Sequence, residues 1–348
     1  MSLISVLAGL PGVRDADLVA RVEEARGRAG YEFILKQCQH EQKTRDRAVV
    51  LPRDVRRRQE ARDKLEAGQG DRQNLRHIHS VLAICGLPYT RQPVEVREYE
   101  RTQGRMSLVV EAGKLRSPDG RGEAQPLPYG SRARLLLLHL CSEAIRQKSA
   151  VVEIEDSLTA FIRAMGFPVT GGKNGTLTSF KTQVNALAAC HMRIGMWDGV
   201  RAKTVNTQPF SSIDVWFPNS ADQKMMWPST ITFSHEFYST LVSHALPVNV
   251  EAVKVFAGSP RKLDLLFWLG YRLHTLSEPL KISWDALKEQ WGQGYNRDRN
   301  FRRDFAQEIV QIREIFPKLP IEVTDDGCII TPAGPDVLAL PAKRTSRK

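Results

Sequence analysis

From Pro128 onward the chain lays out the same succession of elements twice, about 130 residues apart, and this repetition restricts the fold more than any other feature. In the first copy Ser131 to Gln147 carries Leu135, Leu136, Leu138, His139 and Ile145 at helical spacing, and Val152 and Ile154 then alternate as a short strand. A second helix is predicted from Ser157 to Met165, with Gly166 at its C-cap. A turn, Thr170 to Gly175, leads into a third helix from Thr176 to Ala189, and His191 to Trp197 with Ile213 to Phe217 close the unit as strands around a polar loop. The second copy opens at Ser259-Pro260, with proline at an early helix position, and runs through Leu263, Leu266, Phe267, Leu269 and Leu273. Lys281-Ile282 is its short strand, Ser283 the N-cap of Trp284 to Trp291, and Gly292 to Asn296 the turn. A long helix from Arg297 to Phe316 and a hairpin turning at Asp326-Gly327 complete it. Helix, strand, helix, turn, helix, hairpin is the order of a winged helix. The expected fold is therefore α+β and mainly helical, with tandem winged-helix domains and a helical N-terminal extension.

The flanking segments differ in character. Asp15 to Gly86 is rich in Arg, Glu, Ala and Gln, with a basic cluster at Arg53 to Arg58 and several Gly breaks, and reads as a helical extension, Asn74 to His79 included as helix. Leu87 to Pro128 is looser: a hairpin within Val94 to Val110 gives way to the turn composition Ser117 to Glu123. The expected division is 1–125 as a basic helical extension and linker, 126–225 as the first winged-helix domain and 226–258 as a structured connector. It continues with 259–335 as the second winged-helix domain and 336–348 as a basic, disordered tail.

With 348 residues and a hydrophobic fraction of 42%, the chain can bury one large core or two smaller ones. Its formal net charge of +11 favours a polyanionic partner, although ribosomal, RNA-binding and membrane-surface proteins share such an excess. Cys38, Cys85, Cys141, Cys190 and Cys328 are scattered singly, which suits reduced, buried thiols of a cytoplasmic protein and not a zinc knuckle. Leu3 to Leu10 is apolar but short and lacks a basic lead, so neither a signal peptide nor a membrane span is expected.

In a helix-turn-helix unit the second helix of the motif lies in the major groove, so it needs an apolar face toward its domain and a polar face toward DNA. On the first candidate helix Leu177, Phe180, Val184 and Leu187 share a face, while Thr178, Ser179, Thr182 and Asn185 point away with Lys181 at the flank. On the second, Phe301, Phe305, Ile309 and Ile312 pack inward and leave Arg299, Asn300, Arg303 and Gln307 outward with Arg302 beside them. Arg, Asn and Gln match guanine and adenine edges, so the second helix is the stronger base reader. Lys173, Arg193, Arg201 and Lys203 are the expected phosphate partners of the first turn and wing, whereas the acidic Asp325-Asp326 tip counts against the second wing. The plainer alternative is that such faces are merely solvated; their duplication in one context favours DNA.

No catalytic residue, metal or cofactor is expected. His77-Ile78-His79 fits the His-hydrophobic-His pattern of metal-dependent nicking enzymes, but three residues are a weak signal and a solvated or packing role is favoured. Gly171-Gly172-Lys173-Asn174 lacks the spacing and the Ser or Thr of a nucleotide-triphosphate loop. Glu153, Glu155 and Asp156 fall on the exposed edge of a strand, and His191 beside Cys190 lacks partner ligands.

Leu127-Pro128-Tyr129-Gly130-Ser131-Arg132-Ala133-Arg134, Ser157 to Arg163 and Thr170-Gly171-Gly172 resemble the RepA family of plasmid replication proteins. Ser259 to Asp264, Tyr271-Arg272-Leu273, Ile282-Ser283-Trp284 and Phe301 to Phe305 extend the resemblance over about Pro126 to Pro332. The resemblance implies an initiator that binds iterons, short direct repeats of double-stranded DNA at a plasmid origin, then opens the origin and recruits the host replicative helicase and initiator. It also implies monomer–dimer exchange of the protein with itself, through which copy number is controlled. A winged-helix repressor is the alternative binding protein, and a nicking initiator using His77 and His79 the alternative enzyme.

Overall fold

The computed structural model describes residues 12–49, 52–68, 72–116, 120–153, 155–172, 174–197, 199–213 and 230–340. Leu3 to Leu10, Ser117 to Asp119, Lys173, residues 214–217 and the basic tail 341–348 lie outside the described residues.

The chain divides into two compact units, Met1–Arg57 and Arg58–Lys348. In the first, α1 (Ala16–Ala25) and α2 (Tyr31–Val49) pack around Val13, Leu18, Val22 and Cys38. Arg45 ties the pair together at its surface, donating to Asp15, Asp17 and Glu41.

The second unit follows α3 (Arg53–Ala67) with β1 (Leu75–His79), α4 (Ser80–Cys85), β2 (Glu98–Gln103), β3 (Met106–Glu111), β4 (Lys114–Arg116) and β5 (Gly122–Ala124). The first copy holds α5 (Gly130–Gln147), β6 (Val151–Glu153), α6 (Glu155–Ala164), α7 (Thr176–Ala189), β7 (His191–Trp197), β8 (Ala202–Thr207) and β9 (Phe210–Ile213). Then come β10 (Thr230–Phe233), α8 (His235–His244), β11 (Ala245–Asn249) and α9 (Val250–Phe256). The second copy is α10 (Pro260–Thr275), β12 (Leu280–Ser283), α11 (Trp284–Trp291), α12 (Asp298–Ile315), β13 (Ile321–Thr324) and β14 (Gly327–Ile330). Helix predominates, and the strands form small antiparallel sheets.

Local chemistry explains the helix starts. Ser234, Asn249, Ser259 and Ser283 each accept from a backbone N–H of the first turn of α8, α9, α10 and α11, satisfying a donor with no partner inside the helix. The Gly166 N–H bonds Arg163 and the Phe167 N–H bonds Ile162, so Gly166, with φ of 82°, closes α6 as expected. At the end of the last hairpin Gly327 has φ of 150°, and a Cβ there would stand 1.9 Å from the Ile282 carbonyl oxygen. That glycine lets β14 pair between β12 and β13, in the order β12-β14-β13.

Several expectations are corrected. Asn74 to His79 is not helical: a short 3-10 turn, Arg72–Asn74, gives way to β1, which pairs antiparallel with β11, Leu75 opposite Asn249. Residues 87–125 are more than a linker, because β3 pairs with β7 and completes a sheet in the order β2-β3-β7-β8; alternation buries Leu108 and Val110. The partner of β7 within the first copy is β8, built from the stretch read as a polar loop, and the short strand β6 pairs instead with β10. Finally, Pro335–Leu338 forms a 3-10 turn and Leu338, Ala339 and Leu340 are buried, so order continues past residue 336. Glu155 and Asp156, read as strand edge, open α6.

Both copies, expected as separate domains, contribute to one buried cluster that runs from Leu65 to Leu340. All five cysteines are buried and unpaired, and burial pushes Cys85, Cys141, Cys190 and Cys328 up to about 12, which keeps them as thiols. No helix of the described residues is long and apolar enough to cross a membrane.

Candidate nucleic-acid interface

The outward face of α12 is the most exposed polar helix face among those predicted to read DNA. Phe301, Phe305, Ile309 and Ile312 are buried, and the 3.6-residue period leaves Arg299, Arg302, Arg303 and Gln307 exposed with Asn300 partly so. Trp284 holds this helix from beneath, with its ring edge-on to Phe301 and Phe305 at 6.3 and 5.9 Å. Its indole N–H donates to the Asp325 carbonyl at 2.8 Å, so one side chain fixes both the helix and the tip of the β13–β14 hairpin. The Arg302 guanidinium lies 5.5 Å from the same ring, a cation–π contact that orients it.

Acidic groups on α12 are largely occupied. Glu308 takes a forked contact from Arg261 at 2.8 Å, and Lys288 bonds Asp298 at 2.5 Å. Asp304 accepts from Arg303 at 2.8 Å and from the Tyr295 hydroxyl at 2.9 Å, and these bonds hold its carboxyl below the usual carboxylate range. The Arg303 side chain remains 65% exposed, so a stronger anion can draw it from Asp304.

The polar face of α7 is different. Phe180, Val184 and Leu187 are buried as expected and Leu177 packs partly against the core, but Thr178, Ser179, Lys181, Thr182 and Asn185 are all half-buried. The helix packs against α5, β9 and β4, so three elements crowd it. The Thr178 hydroxyl donates to the Gly172 carbonyl at 2.6 Å and Thr182 to Thr178 at 3.0 Å, while Ser179 Oγ and Asn185 Oδ1 are buried without a hydrogen-bond partner. Burial also lowers the Lys181 pKa.

On the first hairpin Arg193 is compensated, bridging Glu98 at 2.9 Å and Glu111 at 2.5 Å across the β2-β3-β7 surface. Arg201 and Lys203 stand apart from that bridge, beside Trp197 on the wall of a cleft. The structure thus gathers Arg299, Asn300, Arg302, Arg303 and Gln307 on one helix face and pairs Arg201 with Lys203, but gives the α7 residues and Arg193 other neighbours. Sequence reasoning passed over Trp284 and Trp197; an aromatic flanked by turn residues and cations was the available signal for Trp197.

His77 and His79 lie on β1, His77 half-buried and His79 buried with its Nδ1 accepting from the Val81 N–H at 3.2 Å. His79 caps α4, which is a structural task. Among the described residues no group of three or more His, Cys, Asp or Glu side chains is placed to hold a metal ion.

A family model described as plasmid encoded RepA protein matches residues 127–286, which spans the first copy and the second as far as the start of α11. No curated protein matches the chain. Among solved structures, the crystal structure of SeMet derivatives of domain 2 and domain 3 of RctB is similar with a TM-score of 0.41 and 11% identity, covering 70% of this chain and 87% of that one.

Proposed function

We propose that the chain, whose residues 127–286 match the model of plasmid-encoded RepA proteins, is a plasmid replication initiator that binds double-stranded iterons at its origin. The observation that carries the DNA-binding part is the exposed row Arg299, Arg302, Arg303 and Gln307, held rigid by the buried phenylalanines of α12 and by Trp284. Its context supports a winged-helix reading: α10, β12, α11, α12 and the β13–β14 hairpin follow in that order, and β12 pairs with the hairpin.

On this reading α12 enters the major groove, Arg and Gln side chains select bases, and the remaining surface cations fix register through phosphates. The acidic tip at Asp325-Asp326 stays off the backbone. The protein acts by binding and deforming DNA, not as an enzyme, and it exchanges between monomer and dimer to limit copy number. Opening the origin then prepares it for the host helicase and initiator.

Footprinting on the DNA flanking the gene, at several salt concentrations and with scrambled duplex as competitor, tests the proposal. Protection at a regular repeat spacing, with affinity falling steeply as salt rises, is expected. Salt-sensitive binding with no repeat preference overturns it.

A further inference from the structure

A second surface of the same unit has the chemistry of a nucleotide site. Met106, Met196 and Lys203 occupy one cross-strand row, since Met106 is opposite Met196 on β3–β7 and Met196 is opposite Lys203 on β7–β8. Cross-strand partners share a face of the sheet, so this row forms one wall of a cleft of about 640 Å³. Leu246 and Pro247 of β11 and Tyr271 of α10 line it as well. The volume lies within the range of small-ligand sites, roughly 300 to 1,000 Å³.

Three features specify the occupant. Trp197 lines the cleft and is 53% exposed, so an aromatic surface stays open to a flat partner. Arg201 and Lys203 line the same cleft and among the described residues none that lines it is acidic, which suits an anion. Ser80 lines it too, a polar residue beside Met106 and Leu246. A flat apolar face, a polar edge and an adjoining negative charge are together the chemistry of a nucleotide whose base is not paired. A duplex cannot supply it, because its bases are stacked and their faces hidden.

We propose that this cleft binds an unpaired nucleotide, with the base stacked on Trp197 and its phosphate held by Arg201 and Lys203. The inference deepens the initiator reading, because opening an origin exposes unpaired bases, and it puts the strand-holding surface on the β7–β8 hairpin and the duplex-reading surface on α12. A segment of single-stranded DNA and a free nucleotide share this chemistry.

The test uses the full chain, a fluorescein-labelled oligothymidylate followed by anisotropy, and thymidine monophosphate as competitor, with the footprinted origin duplex measured in parallel. Trp197→Ala is expected to weaken oligothymidylate binding about tenfold or more, the loss expected for one stacked base, with an unchanged melting temperature. Lys203→Ala should lower the slope of log affinity against log salt by about 0.7, the signature of one fewer phosphate neutralised on a single strand. Displacement of the strand by millimolar monophosphate identifies the free nucleotide as a ligand; failure to displace it assigns the cleft to strands. Single-strand binding that is absent in the parent, or equal in the parent and both variants, overturns the proposal. Equal losses on duplex and single strand in Trp197→Ala overturn it as well. Loss of repeat preference on the duplex alone counts against the iteron reading and leaves the cleft standing.

Discussion

The Arg134 guanidinium and the Asp264 carboxylate form a two-point ion pair, 2.6 Å at each contact, with both side chains buried. The two residues stand at the fifth position of α5 and of α10, the opening helices of the two copies, so the pair joins the repeat to itself. Arg134 also donates to the carbonyls of Leu87, Pro88 and Gly130. Burial alone would lower its pKa, but the Asp264 charge and hydrogen bonds raise it above the usual arginine value. Gly86 admits the pair: its φ is 67°, and a Cβ there would come within 2.6 Å of the Asp264 carboxylate.

Breaking one half of that pair leaves a buried charge alone. Arg134→Ala is expected to destabilise the protein by about 3 to 5 kcal/mol in urea unfolding, whereas replacing both residues with apolar ones of similar size should cost much less. Equal losses in the single and double variants would show that Asp264 finds another partner.

Arg303 is the clearest candidate for a base contact, being exposed and at the middle of the α12 outward face. Arg303→Ala should weaken binding to the cognate repeat by about 1 to 3 kcal/mol and relax specificity at one base position, read in a competition assay on point-substituted repeats. Unchanged affinity and specificity would remove α12 from the groove.

Arg193 is an expected phosphate partner by sequence, but its charge is spent on Glu98 and Glu111. Arg193→Ala is expected to leave duplex affinity within about twofold and the salt slope unaltered, while Lys203→Ala changes the single-strand salt slope. A fall in the duplex slope by about 0.9 would return Arg193 to the backbone contacts.

Stability should decline on mild acidification. Burial lowers the pKa of His79 to about 3, helped by His244, and that of His139 to about 4, where the ring stacks on Phe161 at 4.5 Å. Both remain neutral in the folded chain while the unfolded chain takes up protons near pH 6.5, so unfolding binds protons and stability rises with pH. The contribution is complete above pH 6.5 and is lost as pH falls toward 4 and then 3. In urea titrations between pH 7 and pH 4.5, His139→Phe should show a shallower loss than the parent; an identical slope would mean that His139 is already charged in the fold.

Much of this was legible in local patterns. The bounds of α7, α10, α12 and the last hairpin follow from the spacing of apolar residues and from Ser259 and Gly327, as the end of α6 and the start of α11 do from Gly166 and Ser283, because caps, turns and amphipathic periods are set by residues a few positions apart. The inward face of α12 was readable for the same reason.

Pairing across long distances was not. Leu-Arg-His-Ile-His at 75–79 becomes a strand only because β11, far along the chain, offers its edge, as Leu75 opposite Asn249 and His79 opposite Ala245 show. The same holds for β3 against β7, which drew a supposed linker into a sheet, and for the crowding that half-buries the polar face of α7. Sequence by itself determined the repeated order of elements and the faces they must bury, since those depend on local spacing. Tertiary structure alone decided which cations face solvent and which are spent on carboxylates, because an arginine such as Arg134 or Arg193 meets its counter-charge only once the chain has folded back on itself.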